Sequence, residues 1–125
     1  MISHSIRAFT LATAFATVAI CTASTAHAGP FDGQWSVLVI TRSGGCDQTY
    51  RYGVQISNGV VYYAGGGPVS LSGRVNSSGH VSVTVSSGPQ YAQGSGRLSR
   101  NTGSGTWRGQ GPTGACAGVW SASRG

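Results

Sequence analysis

GTWRGQGPTGACAGVWSASRG, residues 105–125, is the stretch that decides how this chain folds. It reads as a last β-hairpin. Gly111-Pro112-Thr113-Gly114 supplies the turn, and short alternating runs flank it. The hairpin holds Trp107 and Trp120 together with Cys116, and beyond the N-terminal segment the one other cysteine is Cys46, just after the first predicted strand. A Cys46–Cys116 bridge would fasten the start of the last strand to the end of the first. Two free thiols or an intermolecular pair are the alternative.

The first 28 residues read as a signal peptide. Met1 to Arg7 is a mildly basic start, Ala8 to Ile20 is apolar, and Ala26-His27-Ala28 is a small-x-small cleavage site. The apolar run is shorter than the roughly 20 residues of a membrane-spanning helix. Cleavage after Ala28 is expected, with export to the periplasm or the medium; lipid attachment at Cys21 is the alternative, although Ile20 precedes it where a small residue is required. Residues 29–125 then form one small domain, a size at which a staple adds much to a modest core. An exported chain with two remaining cysteines reads as disulfide-bonded.

Every cation is an arginine, and the acids are Asp32 and Asp47 alone. Seven arginines against two aspartates leave +5 on residues 29–125. That balance suits an anionic envelope component. Yet Arg42, Arg51, Arg74, Arg97, Arg100, Arg108 and Arg124 stand singly, which reads as a solvated basic surface. No specific nucleic-acid binding is expected.

Upstream of the hairpin, no window after residue 28 carries a helical period. Apolar and polar residues alternate in short runs, with turn signals every 8–12 residues, which predicts an all-β domain. The first strand, 34–41, places Trp35, Val37 and Val39 on one face; Leu38 and Ile40 make the other face partly apolar, so cover on both sides is expected. The second, 49–57, alternates Tyr50, Tyr52, Val54 and Ile56 with polar residues. Asn58-Gly59 is a two-residue hairpin signal, because both positions of a type I′ turn need positive φ. Strands follow at 60–64, 69–75, 81–86, 90–99 and 116–123, besides the one through Trp107. A turn centred on Asn101-Thr102 would set Trp107 over Gly96, a ring covering bare strand backbone, and bring Arg97 and Arg108 together on the opposite face.

About eight strands in sequential hairpins either close on themselves or leave two open edges. The Cys46–Cys116 pair needs the first and last strands side by side and antiparallel. The expected architecture is therefore a small closed antiparallel barrel, with a two-sheet sandwich as the alternative.

Catalysis is not expected. General acid–base work needs a carboxylate pair, a histidine or a base beside a nucleophile. Asp32 and Asp47 both lie in predicted turns, where Asp32 is read as capping its own backbone, and His80 stands at the exposed start of a strand. Residues 109–114 match G-x-G-x-x-G but precede a strand, so no helix N-terminus is there to hold a phosphate. No metal site and no cofactor are expected, since two distant cysteines and one histidine do not make a ligand set. The aromatic residues are the best candidates for binding. Most would fill the barrel; alternatively Tyr50, Tyr52 and Trp107, with Arg51, Arg97 and Arg108, would line a mouth for a small or saccharide ligand.

FDGQWSV at 31–37, CDQTYRY at 46–52, GSGRLS at 94–99, GSGTW at 103–107 and CAGVWSASR at 116–124 resemble small exported disulfide-containing β-proteins of Gram-negative bacteria, a group with no established function. A weaker similarity is to periplasmic inhibitors of c-type lysozymes, whose S-G-x-x-Y motif is met by Ser87, Gly88 and Tyr91; their second motif contains lysine, which this chain lacks. The leading reading of the residues is an exported monomeric β-protein that binds a ligand or envelope component without catalysis; the second resemblance implies, as the alternative, an inhibitor of a cell-wall hydrolase.

Overall fold

A computed structural model describes residues 29–125; the expected signal peptide, with its cleavage site and Cys21, lies outside the described residues. Eight strands follow one another: β1 Gly33–Ser43, β2 Thr49–Ser57, β3 Val60–Tyr63, β4 Ser70–Val75, β5 His80–Ser87, β6 Gln90–Leu98, β7 Thr102–Gly111 and β8 Gly114–Arg124. Each pairs antiparallel with the next, and β8 pairs with β1, so the sheet is a closed barrel and not a sandwich. The seam runs from Trp35 opposite Arg124 to Ser43 opposite Ala117, with a register shift between Thr41 and Ser43. Cys46 and Cys116 are disulfide-bonded at its upper end.

Local chemistry sets the hairpins. Asn58 (φ 51°) and Gly59 (φ 77°) make the left-handed two-residue turn that the sequence calls for, and Ser57 faces Val60 across it. The β6–β7 turn departs from expectation. It centres on Arg100-Asn101, closed by the Ser99 amide donating to the Thr102 carbonyl (2.7 Å). The end of β8 holds it from outside, as the Arg124 amide donates to the Asn101 carbonyl (2.9 Å). The register is therefore two residues away from the expected one. Trp107 faces Gly94, Arg97 faces Ser104 and Arg108 faces Gln93, so the two arginines are not together.

Meander parity puts the β2–β3, β4–β5 and β6–β7 turns at one end with both termini of the described chain, and that end is sealed. Phe31, Trp35, Ile56, Val61, Val75, Val81, Leu98 and Ala122 are buried there as one cluster. Trp35 Nε1 donates to the Phe31 carbonyl (2.9 Å). Arg124 lies over the Trp35 ring at 4.8 Å and donates to the carbonyls of Pro30 (2.8 Å), Asp32 (2.6 Å) and Arg100 (3.0 Å). Asp32 does more than cap its own turn. Its carboxylate accepts the Asn58 amide (2.9 Å), tying the first turn to the β2–β3 hairpin. That hydrogen bond is the main cause holding its pKa below the ordinary carboxylate value, with the Gly29 and Gly59 amides and Arg124 adding to it against a burial cost.

The outer face carries Ser, Thr, Gln and Arg on most strands, the reverse of a lipid-facing barrel. Among the described residues, no helix is long and apolar enough to cross a membrane. Leu38 and Ile40 are not covered by a second layer as expected. They stand half-buried on the outer face, Leu38 between Arg51 and Ser121 and Ile40 between Thr49 and Val119.

The disulfide closes a loop of 70 residues, which in the chain-entropy account stabilises the fold by roughly 4 kcal/mol. The Cys46→Ser/Cys116→Ser variant should lose about that much in urea unfolding and keep the far-ultraviolet signature of the sheet, because the β1–β8 ladder remains. An unchanged midpoint would show that the staple constrains nothing the ladder does not.

Candidate functional site

The other end of the barrel is open. The β1–β2 and β3–β4 loops and the β5–β6 and β7–β8 turns surround a cavity of about 540 Å³. Its floor is the buried cluster around Trp35, Ile56 and Val81. Its rim includes Asp47, Ser87, Gln90, Tyr91, Gln110 and Pro112.

The cavity exists because one side of the barrel has almost no inward side chains. On β6, β7 and β8 the inward positions are mostly glycine: 94, 96, 103, 105, 109, 111 and 118. Two tryptophans stand in the space this leaves. A Cβ on Gly96 would come within 2.6 Å of Trp120 Cζ2, and one on Gly105 within 2.6 Å of Trp120 Nε1. The indole of Trp120 is seated by that edge, its Nε1 donating to the Ser95 carbonyl (3.2 Å). Trp107 is seated in the same way over Gly118, with Nε1 donating to the Ile40 carbonyl across the seam (3.1 Å). The ring expected over Gly96 is thus Trp120, and Trp107 belongs to the next pair of strands. Both N–H groups are spent on the wall, so the indoles offer only carbon surface to the lumen.

Across the lumen, β2 and β3 contribute three phenols. Tyr50 and Tyr52 have ring centroids 5.8 Å apart, and Tyr52 and Tyr63 6.1 Å. Tyr63 Oη donates to the Gly66 carbonyl (3.3 Å), and burial with a hydrogen bond to Tyr50 raises its pKa. Burial, with the neighbouring phenols Tyr50 and Tyr63, pushes Tyr52 up to about 12. Leu71, Val83 and Val85 complete the wall on β4 and β5, with Val37 and Val39 on β1.

The structure therefore brings together Tyr50, Tyr52 and Trp107 among the expected binding residues. It separates them from Arg51, Arg97 and Arg108, which alternate onto the outer face because their neighbours in sequence face inward. Arg97 Nη2 instead meets His80 Nε2 (3.1 Å) on the exterior. Ser87 and Tyr91 stand at the rim around the exposed Gly88 turn, with Tyr91 55% exposed. Tyr63 and Trp120, aromatics outside the narrower set expected at the mouth, also line the site, as does Leu71. Their signal was present in strand alternation, which puts Tyr63 on the face of Val61 and Trp120 on the face of Cys116. No group of three metal-ligating side chains occurs among the described residues.

Comparison with protein families, with curated proteins and with solved structures gives no match.

Tyr52 makes stability pH-dependent at the alkaline end. Its folded pKa of about 12 exceeds the ordinary phenol value of 10.0, so between them the unfolded chain gives up a proton that the folded chain keeps. The contribution is intact below pH 10 and is lost as the pH rises toward 12. Urea unfolding at stepped pH should show this decline, and Tyr52→Phe should flatten it; a decline of equal slope in the variant would assign it elsewhere.

Proposed function

We propose that this protein is a non-catalytic binding protein that takes a small, uncharged, largely apolar ligand into the open end of its barrel. The carrying observation is a preformed apolar cavity of about 540 Å³ in a domain of 97 described residues, a volume within the range of roughly 300–1,000 Å³ of small-molecule sites. No arginine lines it, and Asp47 is its one charged lining residue. An anionic group drawn inside would lose its hydration without gaining a counter-ion. Attraction to anionic envelope components belongs instead to the arginine-bearing exterior, in keeping with export to the periplasm or beyond as a monomer.

The test is titration with N-phenyl-1-naphthylamine, a neutral probe whose fluorescence rises in apolar surroundings. Binding in the micromolar range is expected, insensitive to salt, and weakened at least tenfold by Val83→Trp, which fills the cavity from β5. The reading is lost if the probe stays dark, or if Val83→Trp binds it equally well while remaining folded.

A second reading, inhibition of a cell-wall hydrolase, is supported by the β5–β6 turn. Ser87, Gly88 and Tyr91 project at the rim, with Gly88 at φ 62° and Tyr91 largely exposed. On that reading a micromolar excess of the protein slows c-type lysozyme, and Tyr91→Ala relieves the effect. Unchanged lysozyme turnover would remove the idea.

A further inference from the structure

The two aromatic walls of the cavity are chemically unequal, and the difference narrows the ligand class. This inference rests on the cavity being a binding site. On the tryptophan side, both indole N–H groups are committed to backbone carbonyls, Trp107 to Ile40 and Trp120 to Ser95. That wall is therefore fixed in orientation and can offer a ligand only the carbon surface and π-electrons of two rings. The Trp107 indole reaches Ile40 on β1, beside β2, while the Trp120 indole is seated on β6 at Ser95 and Gly96, half a circuit from the β2 side of the eight-stranded barrel. There the phenols carry the polar atoms. Tyr63 Oη donates to the Gly66 carbonyl. Tyr52, deeper and flanked by both neighbours, has no hydrogen-bond partner for its hydroxyl among the described residues. Tyr52 is partly buried and lines the open cavity, so its O–H is a donor available to what enters that space.

We propose that the ligand is a planar, uncharged aromatic compound bearing a carbonyl-type acceptor, its ring held between the Trp120 indole and the tyrosine wall and its acceptor taking the hydrogen bond of Tyr52. Tyr52 keeps its proton throughout the physiological range and stays a donor. A flat ring gains from both walls, since aromatic pairs at centroid spacings of about 4.5–7 Å add to ordinary burial. A flexible chain gains burial alone and gives up rotamer freedom on entry. Saccharides fit less well: their many hydroxyls would meet mainly the hydrocarbon of Val37, Val39, Leu71 and Val83.

Three neutral probes separate the parts of the proposal: 2-acetylnaphthalene; 2-nonanone, an open-chain methyl ketone of comparable hydrophobicity; and 2-ethylnaphthalene, which lacks the carbonyl. Dissociation constants would be taken from quenching of tryptophan fluorescence and from calorimetry, with wild type and Tyr52→Phe. The naphthyl ketone should bind about two- to tenfold more tightly than nonanone. Tyr52→Phe should weaken both ketones by about two- to tenfold and leave ethylnaphthalene unchanged. If nonanone binds as well as the naphthyl ketone, or if Tyr52→Phe weakens ethylnaphthalene as much as the ketones, the assignment of ligand class is overturned while the cavity remains a binding site. If none of the three binds wild-type protein, the cavity reading falls with it. Because Tyr52→Phe keeps the ring, its far-ultraviolet spectrum and unfolding midpoint at neutral pH serve as the folding control.

Discussion

The pairing of β1 with β8 is the constraint on which everything else in this molecule depends. A single sheet of eight strands, with no helix and no second sheet among the described residues, has nothing to pack its apolar face against except itself. Closure supplies that partner and removes both free edges at once. Without the seam, Trp35, Val37 and Val39 would open to water along with the strands opposite them. The seam is correspondingly redundant. It has its ladder along the length of β1, the Cys46–Cys116 bond above, the Trp107 indole bonded across it to Ile40, and Arg124 below, reaching to Pro30 and Asp32.

Closure alone does not say how the interior is filled, and here the two ends part company. At the sealed end, inward positions are large and apolar from nearly every strand, and they meet. Higher up, β6, β7 and β8 present glycine, and the barrel is empty on that side apart from two indoles. The same glycines allow Trp107 and Trp120 to sit against the backbone. Small residues and large rings are thus one arrangement. Adding a methyl at Gly105 would displace the Trp120 ring into the lumen, so wall and cavity cannot be altered independently.

Much of this was readable from the residues. The strands of strict alternation and the Asn58-Gly59 turn carry strong local signals, and the cysteine positions imply closure once the strands are counted. The β6–β7 register was not readable. Gly alternates with small or polar residues in the facing segments 93–97 and 102–106, and a slip of two residues leaves every side chain on the same face. The choice is made at long range, by the end of β8 holding the Arg100-Asn101 turn. The arginines near the aromatics in sequence looked like part of one site. Strand alternation settles the opposite, since a residue next to an inward one faces out. The cavity itself was hidden for a reason of volume. An apolar inner face is legible from its pattern, but whether those side chains touch across the lumen depends on the summed size of eight strands.

That volume also argues against treating the open end as a packing defect. Were a space of about 540 Å³ sealed and dry, the cost at roughly 24 cal/mol per Å³ would be about 13 kcal/mol, comparable to the whole stability of a domain this size. The end is open, so water occupies it, but water against Leu71, Val83 and two indoles leaves burial energy unrealised. Larger residues at the lumen glycines do not recover that energy simply, because a Cβ at Gly96, Gly105, Gly109 or Gly118 would press into the backbone carbonyls of Ser104, Ser95, Tyr91 or Ile40. Close approach of neighbouring strands holds those positions to glycine, and the two indoles are fixed around the space that results. An open apolar space in so small a domain is what the proposed binding role requires, and the charge distribution is consistent with that proposal: no arginine lines the cavity, and Asp47 is its one charged lining residue.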